Sequence, residues 1–148
     1  LAKDSTPHFQ AYGNTGTTST ASGGYLPLNQ ATENNILNNG WDTTNYYFVP
    51  PTNAEGLWWM GVNIWANSAN GARYRWAITD TGGTTDGYFG DASVYNGSHA
   101  NNNQYVSGIH LLNSGSQIGV KNIADDNAAK TSYFSFLQHT VLCGVYLG

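Results

Sequence analysis

The stretch Leu57-Trp58-Trp59-Met60-Gly61-Val62-Asn63-Ile64-Trp65-Ala66 decides how this chain can fold. It is too short for a membrane-spanning helix and reads as the longest continuous apolar strand of the chain. Read with a period of two, both parities carry large apolar groups: Trp58, Met60, Val62 and Ile64 on one, Leu57, Trp59 and Trp65 on the other. A strand with one wet face alternates cleanly between apolar and polar. This one does not, so both of its faces need cover. The same holds for the last strand region, Ser132 to Leu147, with Tyr133, Phe134, Phe136, Leu137, Val141, Leu142, Val145, Tyr146 and Leu147.

Outward from these two stretches, short strand signals alternate with turn signals, the pattern of a sandwich or barrel. His8-Phe9-Gln10-Ala11-Tyr12 alternates and meets Gly13-Asn14, and a Thr/Ser/Gly loop is expected through Gly24. Tyr25-Leu26-Pro27-Leu28-Asn29 reads as a short strand, at an edge because Pro27 cannot donate to a ladder. Asn34 to Asn45 reads as polar loop, and Tyr46-Tyr47-Phe48-Val49 as a strand stopped by Pro50-Pro51. Asn70-Gly71 predicts a hairpin returning as Ala72 to Thr79. Ser93 to Tyr95 is a weak strand and Asn96 to Asn103 a loop. Tyr105 to Leu112 is a strand whose hairpin partner, across Ser114-Gly115, is Gln117 to Lys121. No helical periodicity, repeat or domain boundary is evident. The expectation is a single all-β domain over residues 1–148, with 1–7 as an N-terminal arm.

Composition narrows the function. The chain has 148 residues, enough to support a core without disulfides. Charged residues are 9% of it, against roughly 25% in an ordinary soluble domain. Asn, Thr, Ser and Gly keep the surface soluble instead, a habit that suits extracellular or particle-borne β-proteins. Net charge is −4 with five Lys and Arg, which argues against nucleic acid and against anionic membrane as partners. No apolar run is long enough for membrane insertion, and Leu1 to Pro7 lacks the apolar core of a secretory leader. The single cysteine, Cys143, lies in the apolar run Thr140 to Val145, where a buried, inert thiol is expected and no intrachain disulfide can form.

Several motifs, in order along most of the chain, resemble the C1q/TNF-like jelly-roll superfamily. They are Phe9-Gln10-Ala11-Tyr12, the short segment Leu26 to Asn29, and Phe48-Val49-Pro50 followed by Gly56-Leu57-Trp58. Leu112-Asn113-Ser114-Gly115-Ser116-Gln117-Ile118 and the closing Phe134-Ser135-Phe136-Leu137 complete the set. Two departures stand out: Ser116 follows the hairpin glycine where Asp is common, and Phe136 occupies a position where Gly is usual. The resemblance implies an antiparallel β-sandwich jelly roll assembled as a homotrimer about an axis lined by the inner sheet. The two strands with apolar groups on both faces agree with it, because a two-sheet sandwich covers only one face of each strand. Trp59, Trp65, Tyr133, Phe134 and Phe136 are the candidate trimer-interface residues.

Nothing selects a catalytic or metal site. His8, His99, His110 and His139 follow no metal-ligand spacing. Asp80, Asp86 and Asp91 share a Gly/Thr-rich stretch but lack the alternation of a calcium loop. No acid pair, phosphate loop or nucleophile elbow stands out, so a non-enzyme without cofactors is expected. Four of the five tryptophans lie on strands as core or interface. Trp41 lies in an Asn/Thr/Gly loop and is the recognition candidate. The residue usage is similar to that of C1q-like domains of tailed bacteriophages. The expected location is therefore a virion surface, and the expected partners are other virion proteins such as the major capsid protein, or a host-surface receptor. No shaft is expected among the residues before the first strand. Read as a whole protein, the sequence is expected to be a capsid decoration, or cement, protein; read as a piece of a longer one, the receptor-binding tip of a tail fibre or a lectin-like module.

Overall fold

The computed structural model describes residues 6–14, 16–33, 40–67, 73–81, 87–95, 101–123, 130–134 and 140–148. Among these residues, twelve strands form two antiparallel sheets. The larger holds β1 (His8–Tyr12), β2 (Gly16–Thr20), β3 (Gln30–Glu33), β6 (Gly56–Asn67), β9 (Asn101–Leu112), β11 (Lys130–Phe134) and β12 (Val141–Tyr146). The smaller runs in the order β4 (Trp41–Asp42), β5 (Tyr47–Phe48), β10 (Ile118–Asn122), β7 (Arg73–Asp80) and β8 (Gly87–Tyr95).

The stretch quoted first is the spine of the larger sheet. Along one edge β6 pairs with β9 from Gly56↔Leu112 to Asn67↔Asn101. Along the other it pairs with β12 from Trp58↔Tyr146 to Asn63↔Val141, and then with β11 at Ala66↔Ser132 and Asn67↔Thr131. The closing region is therefore two strands, β11 and β12, in one line along β6. β12 is bordered by β1, and β11 by β2.

The even side chains of β6 fill the sandwich: Trp58, Met60, Val62 and Ile64 are all buried. Phe9 and Phe48, from opposite sheets, stack at 4.3 Å between ring centroids, and Phe48 meets Trp58 at 5.0 Å. Each such burial is worth about 1.5–3 kcal/mol. Gly144 makes room for this cluster, since a Cβ there would lie 2.3 Å from the Phe9 ring and 2.7 Å from the Met60 sulfur.

Several expectations from sequence are corrected. The connection from β6 to β7, which includes Asn70-Gly71, is not a hairpin: its strands belong to different sheets. The same is true of β9 and β10 across Ser114-Gly115. Crossing between sheets is how a jelly roll places sequential strands on opposite layers. Gly16–Thr20, Gln30–Glu33 and Trp41–Asp42, expected within loops or at their margins, are strands. Conversely, Leu26 to Asn29 forms no ladder. That segment docks on β10 through a single bridge, Tyr25↔Lys121, and the Leu26 N–H donates to the Val120 carbonyl at 2.7 Å. Leu26 and Leu28 are nonetheless fully buried. The weak strand at 93–95 is the end of β8, and the loop expected through Asn103 is partly β9.

Candidate self-association face

Strand geometry sends odd-numbered residues of β6, β9 and β12 to the outside of the larger sheet. In register across it lie Leu57↔Leu111, Trp59↔Ile109 and Asn63↔Tyr105 on one side of β6, and Trp59↔Val145 and Gly61↔Cys143 on the other. Leu147 follows β12 and its N–H donates to the Leu57 carbonyl at 2.8 Å. The large hydrophobic residues exposed among the described residues are Leu57, Tyr105, Ile109, Leu111 and Leu147, at 45–67% of full exposure, and every one of them lies on this face. Scattered exposed leucines are ordinary; a contiguous set on one sheet face marks an interaction surface.

The tryptophan at the centre of the face is held flat. Trp59 lies across Gly61, where a Cβ would sit 2.6 Å from the indole ring and 3.0 Å from the Tyr105 hydroxyl. A side chain at residue 61 would lift the ring off the sheet. Trp65 is half-buried farther along the strand, where its N–H is bonded by Thr140 Oγ1 at 3.2 Å. Toward β1 the face turns polar, with His8, Gln10 and Tyr12 pointing outward. Thr6, His8, Gln10, Cys143 and Val145 surround a shallow hollow of about 180 Å³ there. Burial raises the Cys143 thiol above its ordinary range, opposed by a hydrogen bond with Gln10.

Of the expected interface residues, Trp59 and Trp65 are on this face. Tyr133 and Phe134 are on β11 of the same sheet, although the strand between β1 and β6 is β12; the positions of their rings, and Phe136 altogether, lie outside the described residues. Trp41 is corrected. It is 5% exposed and part of the core, not a loop residue free to meet a ligand. Its indole N–H donates to the Leu28 carbonyl at 2.8 Å, its backbone N–H to Glu33 Oε1 at 2.5 Å, and its ring lies 5.7 Å from that of Phe9. The contributions of Leu57, Tyr105, Ile109, Leu111 and Leu147 were missed. The signal for them was present in Val106 and Ile109-His110-Leu111-Leu112, where apolar groups occupy both parities as they do in β6.

The polar clusters do structural work. Asp80, at the end of β7, accepts from Ser116 Oγ at 2.7 Å and from the Gln117 N–H at 3.0 Å, with His110 Nε2 3.8 Å from the same carboxylate. Ser116 has no exposed surface, so its hydroxyl cannot reach a substrate. The Asp80 carboxylate thus ties the 113–117 turn to the end of β7. Asp86 lies outside the described residues, as does the side chain of Asp91. Among the described residues no three His, Cys, Asp or Glu side chains gather.

No known protein-family profile matches the sequence, and no curated protein sequence does. Solved structures do match. An Eiger TNF from S. frugiperda superposes with a TM-score of 0.70 at 13% identity, covering 97% of this chain and 93% of that one. The globular domain of a zebrafish complement 1qA protein gives 0.70 at 12%, covering 96% and 98%. Murine APRIL gives 0.71 at 17%, covering 96% and 99%. The fold is a C1q/TNF-like β-sandwich jelly roll over nearly the whole chain.

Proposed function

We propose that the protein is a non-enzymatic homotrimer joined through the outer face of its larger sheet, serving at a virion surface as a capsid decoration protein of a tailed bacteriophage. The observation that carries the assembly is the gathering of Leu57, Tyr105, Ile109, Leu111 and Leu147 on one face. The apolar strip lies on β9, β6 and β12, and the face becomes polar toward β1. An apolar strip set to one side suits a rotational assembly in which each protomer covers its neighbour. Trimers are what the C1q/TNF-like resemblance implies. Of the interface candidates Tyr133, Phe134 and Phe136, one set joins the interface in this reading, because period two puts Tyr133 on one face of its strand and Phe134 and Phe136 on the other. The virion location rests on composition: 9% charged residues and a surface of Asn, Thr, Gly and Ser.

Native mass spectrometry tests the assembly, and a species of three chains is expected at micromolar concentration. Cosedimentation with capsids stripped of accessory proteins tests the role. Binding to host cells instead of capsids would replace decoration with the fibre-tip reading, and binding to neither would overturn the virion assignment.

A further inference from the structure

The outer face of the larger sheet carries both knobs and a socket. The knobs stand on β9, where Tyr105, Ile109 and Leu111 are 60–67% exposed. The socket is the hollow of about 180 Å³ bounded by Thr6, His8, Gln10, Cys143 and Val145, on the β1–β12 side of the same face. A cavity of roughly 150 Å³ accepts a benzene ring, so the hollow has room for one branched aliphatic side chain. Its polar groups already bond within the chain. His8 Nδ1 donates to the Thr6 carbonyl at 2.9 Å, and Gln10 is hydrogen-bonded with the Cys143 thiol. An apolar side chain can enter without breaking those bonds, so its entry leaves neither pair unsatisfied.

The registers show which knob is level with the socket. Ile109 pairs with Trp59, Trp59 with Val145, and Val145 with His8, so these four residues form one row across the sheet. The hollow extends along the first strand from Thr6 to Gln10, and His8 is its midpoint. Ile109 is therefore level with the middle of the socket, while Tyr105 and Leu111 lie to either side of that row. Knob and socket are displaced across the strands, not along them. A rotation that carries one onto the other has its axis along the strands, and it leaves each row at its own height. Three such steps close a ring in which every protomer gives one knob and receives one. On the reading of the protein as a trimer joined through this face, we infer that Ile109 of one protomer seats in the hollow between β1 and β12 of the next. Two different patches then hold the assembly together, and no patch meets its own copy.

The sequence supplies a sensor, because its one cysteine, Cys143, lines the hollow. Within a chain, residues 109 and 143 lie on opposite sides of β6, two strand spacings or roughly 10 Å apart. That is too far for a disulfide, whose Cα atoms lie within about 7 Å. Oxidation of Ile109→Cys with copper phenanthroline should therefore link different chains through 109–143 bonds. Non-reducing electrophoresis should show a covalent species of three chains, and the linked peptides should be identified by mass spectrometry. Adding Cys143→Ser should abolish it. A protein of three chains in native mass spectrometry that forms no 109–143 bond overturns the socket and leaves the trimer standing. Bonds of 109 to 109 or of 143 to 143 overturn it in favour of contact between like patches. A parent that is monomeric at micromolar concentration overturns both. Should Ile109→Cys itself dissociate a trimeric parent, alkylation of Cys143 decides. N-ethylmaleimide should then modify Cys143 faster in Ile109→Asp than in the parent, and equal rates overturn the inference.

Discussion

At the scale of single residues, the environments of Cys143, Asp42 and Trp41 make definite predictions. Burial raises the Cys143 thiol, so little thiolate forms near neutral pH. Iodoacetamide should modify the native protein far more slowly than the unfolded chain; equal rates would place the thiol in open solvent. Because its folded value is raised, the stability linked to this thiol is present below the ordinary cysteine range and is lost as pH rises through the folded value. Asp42 has the opposite sign. Its carboxylate is held below the ordinary range by the Asn45 side-chain amide first, then by the Asn45 and Thr44 backbone N–H groups. Its contribution is therefore present above the unfolded value and disappears as pH falls through the folded one. Asp42→Ala should flatten the acid limb of a melting-temperature profile and leave the alkaline limb unchanged. Trp41, read from its Asn/Thr/Gly surroundings as a recognition residue, is a core residue. Trp41→Ala should cost about 3–5 kcal/mol in chemical denaturation, whereas a surface recognition residue would cost almost nothing.

At the scale of elements, what was legible in the sequence were the strands whose own residues carry the signal. β6, with apolar groups at both parities, and β1, with its alternation, were read where they lie. Strands made by pairing rather than by composition were not. Gly16–Thr20 is a strand because β11 lies beside it, and Gln30–Glu33 because β1 does. The hairpin readings at Asn70-Gly71 and Ser114-Gly115 failed for a related reason. A turn signal says that the chain reverses, not whether the next strand joins the same sheet. Recognition of the jelly roll succeeded because it used the order of several weak motifs, while Trp41 was misplaced because its burial depends on β1 and Leu28, distant in sequence. β11 offers a test at this scale. Period two puts Tyr133 and Phe134 on opposite faces. Tyr133→Ala and Phe134→Ala should therefore behave differently: one lowers stability independently of protein concentration, and the other makes melting concentration-dependent. If neither changes melting, β11 contributes to neither the core nor the interface.

At the scale of the molecule, the two faces of the larger sheet make opposite demands. The inner face is satisfied within one chain, where Phe9, Trp58, Met60, Val62 and Ile64 are buried. The outer face is not, since Ile109 and Leu111 stand 60% and 67% exposed on the strand at the edge of the sheet. This asymmetry separates folding from assembly experimentally. Replacing Leu111 by Asp puts a charge where the single chain already meets water, so the stability of an isolated protomer should change by no more than about 0.5 kcal/mol. In an assembly the same carboxylate would be buried without a partner, at a cost of several kcal/mol per chain, repeated at every symmetry-related contact. Leu111→Asp and Ile109→Asp should accordingly give folded monomers by light scattering, with far-ultraviolet circular dichroism unchanged from that of the parent. Phe9→Ala supplies the reverse control: it should cost about 3–5 kcal/mol while the surviving folded protein keeps the mass of three chains. The parent should melt at higher temperature as its concentration rises, because dissociation is part of its unfolding, and the Asp variants should lose that dependence. A parent that is already monomeric at micromolar concentration, melting identically at every concentration, would mean that this apolar face meets some other partner and that the chain does not cover it with copies of itself.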